Sequence, residues 1–236
     1  MMLAAPECYE KDSMVRPLSL RFSTLALVVL VCAVLAPVPA LGFDAGKVAP
    51  EMVDQLTGGS PLVIVEENSD GSLKLVTGGV RIDASPQEVW DVVTDYASYP
   101  NWMPEVTECE VTKDNGRIKE IRYRILFKLS IITKKIDYTL RKAEVPIQRI
   151  DWELVDGDFD HGIGSWQLVP IQGGESTLVY YSTFNNLRSM GRLVRGLMEE
   201  QPALEMAIQV STAVTVVKAL RDRVTSKNAD GGEATP

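Results

Sequence analysis

From Val106 to Phe184 apolar side chains recur at every second position, in runs separated by turn residues, and this pattern makes an antiparallel sheet the central element. Val106 to Lys113 ends at Asp114-Asn115-Gly116, a hairpin signature. Arg117 to Leu129 follows, with Ile121, Tyr123, Ile125, Phe127 and Leu129 on one face; Glu120, Arg124 and Lys128 are among its polar residues, and Lys119 breaks the alternation. Ile132, Ile136, Tyr138 and Leu140 continue the apolar side. Ile150, Trp152 and Leu154 do so again, with Asp151 and Glu153 pointing away. Trp166 and Leu168, then Leu178 to Phe184, supply the last two strands. Such alternation describes a sheet with one face covered and the other in water.

Helical signals stand on either side of this run. Val48 to Leu56 predicts a short helix ended by Gly58-Gly59, and Pro61 to Glu66 with Ser72 to Asp83 a hairpin turning at Asn68 to Gly71. Ser85 is an N-cap, Pro86 takes the first helical position, and Glu88 completes a capping box. Val89, Val92, Val93 and Tyr96 then recur at helical spacing, before Pro100 and Pro104 rule out a regular helix over Tyr99 to Pro104. At the other end, Ser189 to Glu200 is a short helical segment. Pro202 opens a long helix to about Val224, with Ala203, Met206, Ala207, Val210, Ala213, Val214, Val217, Leu220 and Val224 as its apolar stripe.

The segment Ile82-Asp-Ala-Ser-Pro-Gln-Glu-Val-Trp-Asp-Val-Val-Thr-Asp-Tyr96, followed by Tyr99-Pro-Asn-Trp-Met-Pro104, resembles the START-like (SRPBCC) superfamily of polyketide cyclases, coenzyme Q-binding proteins and lipid or hormone binders. The resemblance extends more loosely from Leu73 to Val224. The residue pattern alone describes an α+β chain. The resemblance implies the helix-grip fold, a curved antiparallel sheet wrapped around the long C-terminal helix, with a cavity between them suited to an apolar ligand. Fold does not fix function, because this superfamily holds both binders and enzymes.

The N-terminus bears on location. Phe22 to Ala36 is a continuous apolar run, preceded by Arg16 and Arg21 and followed by small residues to Gly42, as in a secretory signal peptide. Met14 is the better start of such a segment, because residues 1–13 add three carboxylates ahead of the basic region. An uncleaved membrane anchor is the competing reading. The sequence thus divides into a signal peptide (1–42), an N-terminal extension (43–72), the START-like domain (73–224) and a disordered tail (225–236), in an exported, periplasmic protein. Cleavage leaves Cys109 as the one cysteine, so no internal disulfide forms, and its alternating strand predicts a buried, inert thiol. The net charge is −8. An acidic domain without a basic stripe makes nucleic acid a poor partner, and leaves only transient membrane contact through a local patch. Arg188, Arg192 and Arg195 among Met190, Leu193, Val194, Leu197 and Met198 are that patch, or an ordinary amphipathic helix.

Little catalytic chemistry is evident. His161 is the only histidine; it is either an acid–base group at the cavity rim or a solvated turn residue, and it cannot build a multi-histidine metal site. Asp156, Asp158 and Asp160 have the opening spacing of a calcium loop but lack its glycine and its closing Glu. Asp151 and Glu153 share a face expected to meet solvent, unlike a glycosidase pair. No metal or cofactor is expected. The expected cavity wall is Tyr123, Phe127, Tyr138, Trp152 and Trp166, and the expected mouth is Tyr99, Trp102 and Met103. The predicted function is binding or transfer of a small hydrophobic ligand, such as a lipid, a quinone or a polyketide-like molecule. The alternatives are a cyclase or dehydratase, which needs an acid–base group inside the cavity, and an interaction module whose cavity is filled by its own side chains.

Overall fold

The computed structural model describes residues 43–129 and 132–232; the expected signal segment and the last four residues of the chain lie outside them. Eight strands form one antiparallel sheet in the order β1-β2-β8-β7-β6-β5-β4-β3. They are β1 (Leu62–Glu67), β2 (Leu73–Ile82), β3 (Val106–Asp114), β4 (Ile118–Leu129), β5 (Ile132–Val145), β6 (Arg149–Gly157), β7 (Gly162–Ile171) and β8 (Ser176–Asn185). The helices are α1 (Pro50–Thr57), α2 (Pro86–Val93), α3 (Arg192–Glu200) and α4 (Pro202–Gly232), with a short 3-10 helix at Tyr96–Asn101. The curved open sheet and long final helix are the helix-grip arrangement.

Local chemistry sets these elements where the sequence placed them. Ser85 caps α2 by accepting from the Glu88 N–H, and the Glu88 carboxylate accepts from the Ser85 N–H at 2.8 Å. That reciprocal pair satisfies two otherwise orphaned donors. Val89, Trp90, Val92 and Val93 are then buried on the inner face of the sheet together with Val216, Val217, Leu220 and Val224 of α4. Gly78 in β2 lets α4 come this close: a Cβ there would stand 2.8 Å from the Ala213 carbonyl oxygen.

Three features depart from expectation. First, both faces of the sheet are covered near β2, β8 and β7. Phe43 and Leu56 of the extension bury Leu75, Leu178 and Tyr180 on the outer face. Asp151, expected in solvent, is consequently buried at 5% exposure. There it accepts from Arg149 Nε at 2.6 Å, while Arg149 and Gln167 both donate to the Phe43 carbonyl. Second, the first half of α4 buries Glu205 and Gln209, while Ala203 and Ala207 are exposed. Gln209 accepts from the Asn185 N–H and donates to the Asn185 carbonyl, and Glu205 pairs with Arg188 at 2.8 Å. Polar side chains replace the expected apolar stripe because they tie the helix to the chain leaving β8. Third, α4 continues past Val224 to Gly232, through residues expected to form a disordered tail.

Candidate functional site

The two-residue period of β5 aims Ile136, Tyr138, Leu140, Lys142 and Glu144 at the same face, the one covered by α2 and α4. Lys142 is therefore in phase with an apolar stripe, and it is buried at 3% exposure. Its ammonium lies over four aromatic rings. The ring centroids are 4.6 Å away for Tyr96, 5.4 Å for Tyr99, 5.3 Å for Tyr123 and 5.3 Å for Trp152. Each desolvated cation–π contact contributes on the order of 1–2 kcal/mol, which offsets part of the cost of burying the charge.

Among the described residues this ammonium makes no hydrogen bond and no ion pair. Glu144, two positions along, is already engaged: one carboxylate oxygen accepts from the Tyr96 hydroxyl at 2.7 Å, and the other pairs with Lys119. Desolvation dominates, and it lowers the Lys142 pKa to about 8 against the weaker opposing pull of Cys109 and Glu144. Tyr123, stacked on Tyr138 at 5.2 Å, has a buried hydroxyl with no hydrogen-bond partner among the described residues. Burial pushes the Tyr99, Tyr123 and Tyr138 phenols well above their usual range, so all three stay protonated. Cys109 faces Tyr123 across the β3–β4 ladder, and burial raises its thiol to about 11.

Two adjoining chambers open in this region. The inner one, about 50 Å³, is bounded by Tyr99, Tyr123, Leu140, Lys142, Trp152 and Trp166. The outer one, about 340 Å³, lies against Ile125, Phe127, Ile136, Phe159, Leu187 and Met190, with Ala207, Ser211 and Thr212 of α4 on its far side. Met103, Tyr138, Tyr181 and Asn185 belong to both walls. The result is a larger chamber with many apolar side chains, and with Glu105, Lys128, Ser211 and Thr212 also in its wall, beside a small chamber that holds the amine of Lys142 and the hydroxyl of Tyr123.

The five expected wall residues divide between the chambers: Tyr123, Trp152 and Trp166 inner, Phe127 outer, Tyr138 both. Of the expected mouth, Met103 lies between the two chambers. Tyr99 is fully buried at the inner one, its hydroxyl donating to the Val93 carbonyl at 2.6 Å. Trp102 lines neither; it packs edge-on against Tyr99 and donates to Ser98. His161 is exposed beside a separate surface groove with Asn68, Lys74 and Glu205. The Asp158 and Asp160 carboxylates accept from the Asp137 N–H and the Asn186 amide. Sequence reasoning missed Lys142, Tyr181 and Asn185. The signal for Lys142 was its phase, two residues beyond Leu140 on the apolar side.

The pattern of one known family matches residues 82–210, more than half of the chain and the span that builds α2, strands β3 to β8, α3 and the first part of α4. The chain belongs to the polyketide cyclase / dehydrase and lipid transport family. Solved structures share this family member's fold. One is a protein of Thermus thermophilus, 22% identical, with a TM-score of 0.54 over 65% of this chain and 99% of that one. Another is a STAR-related lipid transfer protein of Xanthomonas axonopodis, 19% identical, with a TM-score of 0.52 over 79% and 98%. A conserved protein of Geobacillus kaustophilus is 13% identical, with a TM-score of 0.51 over 65% and 96%. No curated protein matches the sequence. Membership in this family implies hydrophobic-ligand binding or cyclase/dehydrase-type function.

Proposed function

We propose that this family member is a non-catalytic carrier of a small hydrophobic ligand, working outside the cytoplasm. The observation that supports it best is the outer chamber, whose apolar side chains come from the sheet and the chain around Leu187 and Met190. Transfer of apolar ligand surface from water into it is favourable by roughly 25 cal/mol per Å², before ordering costs. The hydrophobic run at 22–36, with its basic flank, supports export. The test is native mass spectrometry of protein purified from an envelope fraction, with organic extraction of whatever is bound. A stoichiometric apolar molecule, recovered chemically unchanged, is the expected result. A bare protein mass that persists after incubation with lipid and quinone mixtures would instead indicate an interaction module and end the carrier reading.

A blocking variant addresses the same cavity. Ala207 is exposed on α4 and borders the outer chamber, so Ala207→Phe places a ring at its opening with little demand on the core. Ligand occupancy is expected to fall at least about tenfold while the melting temperature stays near that of the parent. Equal occupancy would move the binding site elsewhere.

A second reading, cyclase or dehydratase, is favoured by the Lys142 amine and the Tyr123 hydroxyl. Both are placed where a ketone or enolate oxygen would enter the inner chamber, where the ammonium can donate a proton and the phenol a hydrogen bond. Recovery of a cyclised or dehydrated product after incubation with a poly-ketone substrate would favour it.

A further inference from the structure

We propose that the inner chamber recognises the carboxylate of an amphipathic acid, with Lys142 as its counterion and Tyr123 as a second donor. This rests on the carrier reading of the outer chamber and names the class of molecule carried.

The geometry favours a small anionic acceptor in the site. The buried ammonium lies over four ring faces and has no hydrogen-bond acceptor among the described residues, and Glu144 has both oxygens occupied. The Tyr123 hydroxyl, on a ring 5.3 Å from the same ammonium, also has no hydrogen-bond partner among the described residues. A carboxylate satisfies both, one oxygen accepting from Nζ and the other from the phenol. Charge-assisted hydrogen bonds of this kind are shorter and stronger than neutral ones. The chamber's volume of about 50 Å³ admits a head group of only a few heavy atoms. A phospholipid head group is excluded by size. The apolar remainder of the ligand then occupies the outer chamber of about 340 Å³.

The groups that face Lys142 set the pH response. They are Tyr96 and Tyr99 from the 3-10 helix, Cys109 of β3, Lys119 and Tyr123 of β4, Tyr138 and Glu144 of β5, and Tyr181 of β8. The phenols and the thiol have pKa values raised by burial, so near neutral pH the amine is the group that titrates among them. Only the ammonium form pairs with the acid. Affinity for a carboxylate is therefore expected to be level between about pH 6 and 7.5, and about tenfold weaker by pH 9. An uncharged ligand of the same shape should show no such loss.

The experiment compares dodecanoate, methyl dodecanoate and dodecanol by titration of tryptophan fluorescence, using full-length protein, the Lys142→Met variant and the Lys142→Gln variant. The expected result is that wild type binds the acid about 10- to 100-fold more tightly than the ester or alcohol at pH 7. Both variants should erase that preference while still binding the ester, and the wild-type preference should fade from pH 7 to 9. Equal affinity for acid and ester in wild type, with no change in the variants, would overturn the carboxylate assignment and leave the carrier reading standing. Binding of none of the three compounds by wild type would overturn both.

Discussion

At Lys142 the fold carries a charge that its surroundings oppose, and the consequence for stability has a definite sign. The folded-state pKa is about 8, against 10.5 for an unperturbed lysine. Below about pH 8 the amine is charged in both the folded and the unfolded chain, and the penalty is complete. Between about 8 and 10.5 the unfolded chain holds the proton that the folded chain has released, so this residue's contribution to stability rises with pH. Lys142→Met is predicted to stabilise the ligand-free protein at pH 7 by up to roughly 3 kcal/mol. Urea unfolding of both proteins from pH 7 to 10 checks this: the gap should narrow above pH 8. A gap constant across that range would contradict the depressed pKa. Gly164 is constrained in another way, by close approach. A Cβ there would stand 2.2 Å from the Ser182 carbonyl oxygen and 2.5 Å from the Trp152 ring. Gly164→Ala is predicted to cost about 3 kcal/mol and to disturb the ring that faces Lys142, read as a lowered melting temperature and a shifted tryptophan emission.

Among the elements, the best determined by local sequence is α2. The Ser85–Glu88 box was legible because its partners lie three residues apart, and the structure contains both reciprocal bonds. Ser85→Ala is predicted to cost about 1 kcal/mol, measurable as a lower denaturant midpoint at unchanged slope. The strands were legible for a similar reason, since a two-residue period survives in any antiparallel sheet. The helix α4 was less legible. Its stripe was read from hydropathy, yet Glu205 and Gln209 are buried while Ala203 and Ala207 face outward. The partners of those polar residues, Arg188 and Asn185, lie 17 and 24 residues away, beyond the reach of any helical periodicity.

For the whole molecule, the N-terminal extension proves to be part of the fold. Its Phe43 carbonyl accepts from Arg149 and Gln167, and Leu56 packs beneath β2 and β8. This cover turns the Arg149–Asp151 pair from a surface contact into a buried one. Asp151→Ala leaves the partly buried Arg149 charge without its carboxylate, with the Phe43 carbonyl still accepting from it, and is predicted to cost about 3 kcal/mol in equilibrium unfolding. A loss under about 1 kcal/mol would mean that water reaches the pair. The sequence by itself determined the antiparallel sheet, the capped helix, the final helix and the family, because each depends on short-range periodicity or on a contiguous motif. Only the tertiary structure decided which polar side chains leave water. Lys142, Asp151, Glu205 and Gln209 are each buried by segments distant in the chain, and desolvation depends on the cover from both sides of the sheet. The same holds for the cavity: its aromatic residues were visible in the strands, but its division into a larger chamber and a charged end follows from which strand lies opposite which.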